Sequence, residues 1–440
     1  MRNYKNRLLA ISGAAFYVII FNWCYVSYMQ KWFKYMGYSY EAPHISLAYI
    51  VFAWVLAILP SLWMPARLER PSQVAYWILY IMVIVPAIFI PGFIYSYDSA
   101  GIYLFNLVLS LCFLLLGMHY RLPLLSIPRI KIPSGVFWTV CFAISIFTHL
   151  YMISKFGLKL NLVALADVYD VRSSYKQALA GSSGLLAYLI GWQANVLNPL
   201  FIARGFTAKK PFSLLFGIMG QLLIFSITGF KSVLFSGMLI FGLYIVFSLK
   251  FGKKNFGAFL SSGVSVLIIL LSRIAVLSEM GFLIFSIFVR RLIMTNGILT
   301  AFYLQFFSEN PKALLAHSIM KGMAEYPYAL EPPNLIGGIF YGTVDMSANV
   351  NIWADAFANF GFTGMIFYSL LLALFFWLYD SISQKSDMKI TALLLAVPSL
   401  SLCNSALLTT LMTHGLLLAF LISYFLPDSS SNKKPSLLQP

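Results

Sequence analysis

VAYWILYIMVIVPAIFIPGFIY, the stretch from Val74 to Tyr95, contains 22 residues without a charged side chain. A helix needs roughly 20 apolar residues to cross the hydrocarbon core of a bilayer, so this stretch predicts a membrane-spanning helix. Further apolar runs lie on both sides of it, about twelve in all. Their predicted positions are 8–28, 45–64, 74–95, 102–119, 134–153, 184–202, 212–229, 232–249, 257–276, 359–379, 390–406 and 409–426.

The composition of the whole chain agrees with this interpretation. Of its 440 residues, 60% are hydrophobic and 10% are charged, and the mean hydropathy is +0.83. Soluble domains carry about 25% charged residues. Lipid gives the backbone no hydrogen-bond partner, and these runs lack the alternation of barrel strands. We therefore predict an all-α polytopic integral membrane protein, in which residues 1–426 form one transmembrane domain.

The distribution of positive charge predicts the orientation, because loops rich in Lys and Arg stay in the cytoplasm. Of the 30 Lys and Arg residues, 18 belong to loops on the side of the N-terminus and 12 to the other side. We expect both termini in the cytoplasm, with residues 427–440 as a cytoplasmic tail. The net charge of +16 is dispersed over short loops and forms no contiguous basic face, which argues against nucleic-acid binding.

Several kinds of chemistry have no support in the sequence. It contains no G-x-x-x-x-G-K-[ST] motif for nucleotide phosphates and no D-x-D motif that would hold a metal with a sugar nucleotide. The four cysteines all fall inside predicted spans, and their spacing resembles no metal site. We therefore expect neither a cofactor nor a metal.

Two outer loops are longer than the others, at residues 154–183 and 277–351. The second is rich in polar and charged residues, and we expect it to hold the chemistry of the protein. Within it, Gly281 to Met294 is apolar with a basic pair and predicts an interfacial helix. A separate amphipathic helix is predicted from Thr295 to Pro311.

Arginines in both loops are candidates for binding a phosphorylated ligand. Arg290 and Arg291 form an adjacent pair in the second loop, and Arg172 is the only arginine of the first. A guanidinium group presents a planar fork of donors to phosphate oxygens and keeps its charge at physiological pH. The pair could instead anchor an interfacial helix to lipid headgroups, and Arg172 could be a structural ion-pair partner.

Other polar residues of the second loop complete the candidate site. Asp345 and His317 are candidate general bases, since each could take a proton from an attacking hydroxyl. Amide, aromatic and amine side chains suit hydroxyl-rich ligands, although aromatic residues also belong to the membrane interface. The residues predicted to contact substrate in this way are Tyr303, Lys321, Asn349 and Asn351.

In these residues the chain resembles the O-antigen polymerase (Wzy) family. The similarity rests on the order of Arg172 before AGSSG, then FVRRLIM with Arg290 and Arg291, then SANVNIWADAFANFGFTGMIFYSLLLAL and LLTTLMTHGLLLAF. The R-x10-G pattern of some members is absent, because the residues 11 positions after Arg172 and Arg291 are Ser183 and Phe302.

The resemblance implies a fold similar to the C class of glycosyltransferases in the bacterial inner membrane. It implies polymerisation of undecaprenyl-pyrophosphate-linked oligosaccharide units at the periplasmic face, with a flippase and a chain-length regulator as partners. Arg172, Arg290 and Arg291 would hold the leaving pyrophosphate, and a carboxylate or His317 would be the base. Two alternatives are a lipid-linked oligosaccharide flippase, which usually has short loops and two pseudo-symmetric halves, and an O-antigen ligase.

Overall fold

The protein is described by a computed structural model that covers residues 2–40, 45–95, 100–158, 168–180 and 184–428. Over these residues the regular structure is helical, apart from one isolated bridge between Lys321 and Ala324. The main helices are α1 Tyr4–Trp32, α2 Leu47–Leu62, α3 Ser72–Ile94, α4 Gly101–Arg121, α5 Ser134–Phe156, α6 Val168–Ala180, α7 Gly184–Thr207, α8 Pro211–Thr228, α9 Lys231–Ser248, α10 Phe256–Leu277, α11 Glu279–Glu309, α12 Pro332–Tyr341, α13 Ile352–Ile382, α14 Met388–Ser401 and α15 Leu407–Phe425.

The all-α polytopic prediction is confirmed, and the count of spans changes. In the described part of the chain, 11 helices are long and apolar enough to cross a membrane. The spans predicted at 45–64 and 390–406 correspond to the shorter helices α2 and α14. Most of the tail predicted at 427–440 lies outside the described residues, as do residues 159–167 and 181–183 of the first outer loop.

The directions of the helices follow from contacts between them. The Tyr17 hydroxyl of α1 donates to the Ile81 carbonyl of α3 at 2.7 Å, and Phe21 packs on Phe89 further along both helices. Gly13 of α1 lies against Ser261 of α10, and further along both helices Cys24 lies 3.7 Å from Ser272. These three helices run in the same direction, as the predicted topology requires. We call the end at which they finish the loop end of the bundle.

Helix α13 folds back on itself at Gly361. This residue has φ 65° and ψ −150°, a conformation that glycine adopts most readily. The Trp353 indole N–H donates to the Ser369 hydroxyl at 2.8 Å, although 16 residues of straight helix would span about 24 Å. Residues 352–360 and 362–382 are thus two arms, which we call the fold-back hairpin. The predicted span at 359–379 covers only part of it.

The Gly361 turn lies toward the loop end of the bundle. The second arm runs beside α4, and Asp380 near its end lies 3.8 Å from His119 near the end of α4. Because α4 follows α3, it begins at the loop end and finishes at the opposite end. The second arm therefore also begins toward the loop end.

Helix α11 differs most from expectation, because the two separate external helices predicted for 281–311 form one continuous helix of 31 residues. A π-helical segment, Ser286–Met294, keeps the helix unbroken through the arginine pair. Midway, the Asn296 amide donates to the Met82 carbonyl inside the bundle at 2.7 Å. The second long loop, predicted at 277–351, therefore shortens to residues 310–351.

Both ends of α11 nevertheless lie toward the loop end. Glu279 follows directly after α10, which finishes there. Beyond the other end, the Ala313 N–H donates to the Ala358 carbonyl, close to the Gly361 turn, at 2.9 Å. The loop 310–351 thus begins at the same end of the molecule as α11 does.

Candidate functional site

Arg172 lies on α6 and packs against the residue that precedes α9. Its guanidinium carbon is 5.0 Å from the centre of the Phe230 ring. Tyr175, one turn later, is buried between Phe156 and Phe230, with ring centres 5.5 and 5.6 Å away. A buried anchor on the same helix face therefore holds Arg172 beside Phe230, just before α9.

The arginine pair lies on α11. The Arg290 side chain is half-buried: its Nε donates to the Ser286 hydroxyl at 2.9 Å, and its guanidinium carbon lies 5.1 Å from the centre of the Phe33 ring. Arg291 is exposed. Among the described residues neither arginine forms an ion pair, so their charges are available to an anionic ligand.

Helix α9 connects these two basic segments. Phe230, which contacts Arg172, immediately precedes α9, and Phe235 in its second turn packs on Phe288 of α11 with ring centres 4.7 Å apart. Five residues of helix span about 7.5 Å. Both segments therefore pack against one end of one helix, although more than a hundred residues separate them in sequence.

A second cluster lies in the loop after α11 and lines a cavity of about 380 Å³ with His317, Lys321, Tyr326 and Glu331. The His317 ring is 5.5 Å from the Tyr326 ring, and the Tyr326 hydroxyl donates to the Leu330 carbonyl. Burial lowers the pKa of His317, and the negative charge of Glu331 partly opposes this. The Nδ1 atom of His317 is buried without a hydrogen-bond partner in the described residues. His317 and Lys321, both predicted as site residues, thus share one cavity.

The arginine pair and this cavity lie at different places along α11. Tyr328, two residues from Tyr326, packs on Phe306 with ring centres 5.6 Å apart. Residues 290 and 306 are separated by roughly 20 Å of helix. His317 is therefore not beside the arginines in this arrangement, and the two groups form separate parts of one surface.

Asp345 is the other predicted general base. It is an exposed residue in the turn after α12, and the Asn334 amide holds this turn by donating to the Val344 carbonyl at 2.7 Å. Helix α12 ends at Tyr341, whose pKa burial raises to about 12 while the charge of Arg290 opposes the shift. The Asp345 carboxylate forms no ion pair with any described residue.

The four predicted contact residues have different environments. Lys321 lines the cavity, and Asn349 is exposed and accepts a hydrogen bond from the Ser347 hydroxyl at 3.2 Å. Tyr303 and Asn351 are each 1% exposed. The Tyr303 hydroxyl donates to the Ala348 carbonyl, and Asn351 caps the first arm of the fold-back hairpin. The last two side chains hold the chain in place, since neither presents polar atoms to a ligand.

Sequence reasoning weighed Glu331 only as one of several candidate general bases, and it did not single out three other residues that build the site. Glu331 and Tyr326 complete the cavity, Phe230 contacts Arg172, and Phe235 contacts Phe288 of the helix that carries the arginine pair. Aromatic residues are common throughout this chain, so nothing in the local sequence distinguishes these positions. Within the described residues, no group of three or more His, Cys, Asp or Glu side chains could hold a metal ion.

Comparisons with known proteins give no identification. No protein-family model matches the chain, and no curated protein or solved structure is significantly similar to it.

Proposed function

We propose that this protein polymerises undecaprenyl-pyrophosphate-linked oligosaccharide units, as a glycosyltransferase similar in fold to the C class. Two basic segments, one with Arg172 and the other with Arg290 and Arg291, pack against one end of α9. This packing is the observation that supports the proposal most. Guanidinium groups from two segments suit a diphosphate, which offers several oxygens in different directions.

The proposed reaction needs neither nucleotide nor metal. A hydroxyl oxygen of the incoming unit forms a bond to the anomeric carbon of the growing glycan, while the bond from that carbon to the pyrophosphate oxygen breaks. The electron pair leaves with undecaprenyl pyrophosphate, and the arginines stabilise the negative charge that develops there. The hydroxyl proton passes to a general base.

Asp345 is our choice for the base. Asp345 is exposed and has no ion-pair partner in the described residues. It lies in the turn after α12, and Tyr341, the last residue of α12, is close enough to Arg290 to interact with its charge. His317 lies in the loop after α11, in a cavity that meets α11 near Phe306, roughly 20 Å of helix from Arg290. It is therefore too far away to take the proton of a hydroxyl that attacks beside the arginine-bound diphosphate.

The cavity around His317 suits the glycan instead. Tyr326 offers a ring face to a sugar, and His317, Lys321 and Glu331 offer donors and acceptors to hydroxyl groups. An oligosaccharide of several units is long enough to reach from the arginines to this cavity, and a single sugar is not. In the proposal, this cavity aligns one of the two substrates.

In this proposal the loop end of the bundle faces the periplasm, and the protein lies in the bacterial inner membrane with both termini in the cytoplasm. The excess of Lys and Arg in the loops on the side of the N-terminus supports that orientation. Membrane lipid surrounds the bundle, and a flippase that delivers the substrate and a regulator of chain length are proposed partners.

Reconstitution of the purified protein with lipid-linked repeat units tests the proposal. A ladder of lengthening glycans without any other acceptor is the expected result. Translocation of the lipid-linked unit without bond formation would identify a flippase. Transfer only to a lipid A core acceptor would identify a ligase. Each of these last two results would replace the proposed polymerase.

The flippase remains the alternative from another class because one feature favours it. Interrupted helices are frequent in transporters, and α13 is interrupted at Gly361. Against it, the sequence shows no repeat that would relate two halves.

A further inference from the structure

The fold-back hairpin contains a buried carboxyl group that the proposed function does not use. Asp355, on the first arm, is 9% exposed. Its Oδ1 atom accepts one long hydrogen bond from the Asn359 amide at 3.4 Å, and its Oδ2 atom is buried without a partner among the described residues. The Tyr368 hydroxyl, on the second arm, is also buried without a partner in that part of the chain.

The groups that face Asp355 do not neutralise a negative charge. Tyr303 of α11 and Tyr368 of the second arm are close enough to interact with it electrostatically, and both are neutral. The nearest cation on the neighbouring loop, Lys312, lies over the Phe357 ring and donates to the Phe307 carbonyl. An ionised carboxylate with no cation and one long hydrogen bond is strongly disfavoured in a protein interior.

We propose that Asp355 is an exchangeable proton-binding site, occupied in the arrangement described here, and that release of its proton changes the loop that carries His317. In the protonated state the carboxyl is neutral and gains an O–H donor. In the ionised state it requires stronger donors or water than the hairpin provides. The proton exchanges with the aqueous solution, and no other reactant is needed.

Asn359 provides the connection to the loop. Its side-chain N–H group donates to both the carbonyl and the Oδ1 atom of Asp355, at 2.9 and 3.4 Å. Its side-chain oxygen accepts from the Leu315 N–H at 2.9 Å, and its backbone oxygen accepts from the Leu314 N–H at 3.2 Å. One amide therefore contacts both the carboxyl group and the loop.

The loop at this point is strained. Leu314 and Leu315 have φ values of 49° and 55°, in the left-handed region that bulky side chains rarely adopt. The hydrogen bonds to Asn359 hold them there. If an ionised Asp355 draws the Asn359 amide toward itself, the loop relaxes, and His317, two residues further on, moves with it.

The infrared spectrum of the purified full-length protein tests the protonation. We expect a neutral-carboxyl C=O stretch in wild type at pH 7 that is absent from Asp355→Asn, an isosteric change that mimics the neutral acid. Asp345→Asn, at an exposed carboxylate, is the matched control and should leave that band unchanged. Absence of the Asp355 band from wild type would overturn the proposal. Should Asp355→Asn not fold, ¹³C-labelled aspartate gives a second test when it is combined with Asp380→Asn, which removes the other aspartate that is buried among the described residues. The band must shift with the label and persist in that variant.

The connection to the loop needs its own measurement. The four native cysteines are buried, so a thiol introduced by Lys321→Cys is the accessible one for a polar maleimide. We expect the labelling rate, relative to Lys321→Cys/Asp355→Asn, to change at least threefold over the pH range in which the infrared band titrates. A constant ratio would show that Asp355 does not act on this loop. Neither measurement depends on glycosyl transfer, so failure here is distinguishable from failure of the proposed function.

Discussion

The side-chain oxygen of Asn359 accepts a hydrogen bond from the backbone N–H of Leu315 at 2.9 Å, which fixes the fold-back hairpin to the loop that carries His317. Because Asn359 is 0% exposed, this bond has no competition from water. It connects a helix inside the bundle with the external cavity.

Asn359→Leu should therefore destabilise the protein. The substitution keeps the size of the side chain but removes three hydrogen bonds, and it leaves the Leu315 N–H buried without a partner. We expect a loss of about 2–4 kcal/mol in the free energy of unfolding, measured by thermal or denaturant unfolding in detergent. Asn349→Leu is the control: this residue is exposed, and the change should be within about 0.5 kcal/mol. An equal change in the free energy of unfolding in both variants would mean that the hydrogen bonds of Asn359 do not stabilise the protein.

Gly361→Ala should also destabilise the protein, through the backbone. A Cβ at this position would meet only the end of the Lys312 side chain, at 3.6 Å, so steric overlap is small. The conformation itself is unfavourable for alanine, and the expected cost is about 1–3 kcal/mol.

Gly242→Ala gives the comparison for the glycine change. Gly242 lies within α9, and a Cβ there has nothing within 4 Å. Alanine in a helix interior is favoured over glycine by roughly 0.5–1 kcal/mol, so this variant should be neutral or more stable. A Gly361→Ala protein as stable as Gly242→Ala would contradict the fold-back geometry.

Arg291→Ala should reduce the rate of polymerisation by roughly 100-fold or more, because one donor to the developing negative charge is lost. The measurement is the rate of ladder formation by reconstituted protein at matched amounts in the membrane. Arg291→Lys keeps the charge but not the planar fork, and we expect an intermediate rate. Lys34→Ala, an exposed cation that follows α1 at the loop end, should retain the wild-type rate. Normal ladders from Arg291→Ala would show that Arg291 does not stabilise the leaving group.

His317 makes stability depend on pH with a definite sign. Burial lowers the pKa of His317 in the folded protein, while the unfolded value is about 6.5. As the pH falls below that unfolded value, the unfolded chain binds a proton more readily than the folded protein does. Wild type should therefore lose stability on acidification through this window.

His317→Gln should remove that part of the pH dependence. Unfolding curves for wild type and variant at several values between pH 5 and pH 7.5 measure the difference. The free energies of unfolding of the two proteins should depend on pH with the same slope above the unfolded pKa of histidine and should diverge below it. If the two stabilities change in parallel over the whole pH range, His317 is not buried enough to affect the pH dependence of stability.

The hydropathy of individual segments predicted the helices well, because each apolar run must satisfy its own backbone bonds in lipid whatever surrounds it. The Val74 to Tyr95 run is helix α3, as expected. The interfacial helix expected at Gly281 to Met294 shows the limit of this reasoning. Its basic pair suggested a surface position, but the π-helical turn allows Arg290 to lie against Phe33 while the same helix continues into the bundle.

The candidate site was predictable in its residue types and not in its arrangement. His317 and Lys321 are close in sequence, and they share a cavity. Asn351 looked like a ligand for hydroxyl groups because amides are versatile, yet its oxygen caps a buried helix. Whether a polar side chain faces a ligand or a helix end depends on the neighbours that fold beside it.

The sequence by itself determined that this chain is a helical membrane protein, since transfer of each apolar segment into lipid depends on that segment alone. Only the tertiary structure decided that the segment with Arg172 and the segment with the arginine pair meet at the same end of α9, and that α13 folds back at Gly361. Such contacts join residues far apart in the chain, and their free energy depends on the shapes of both partners, which no local pattern records.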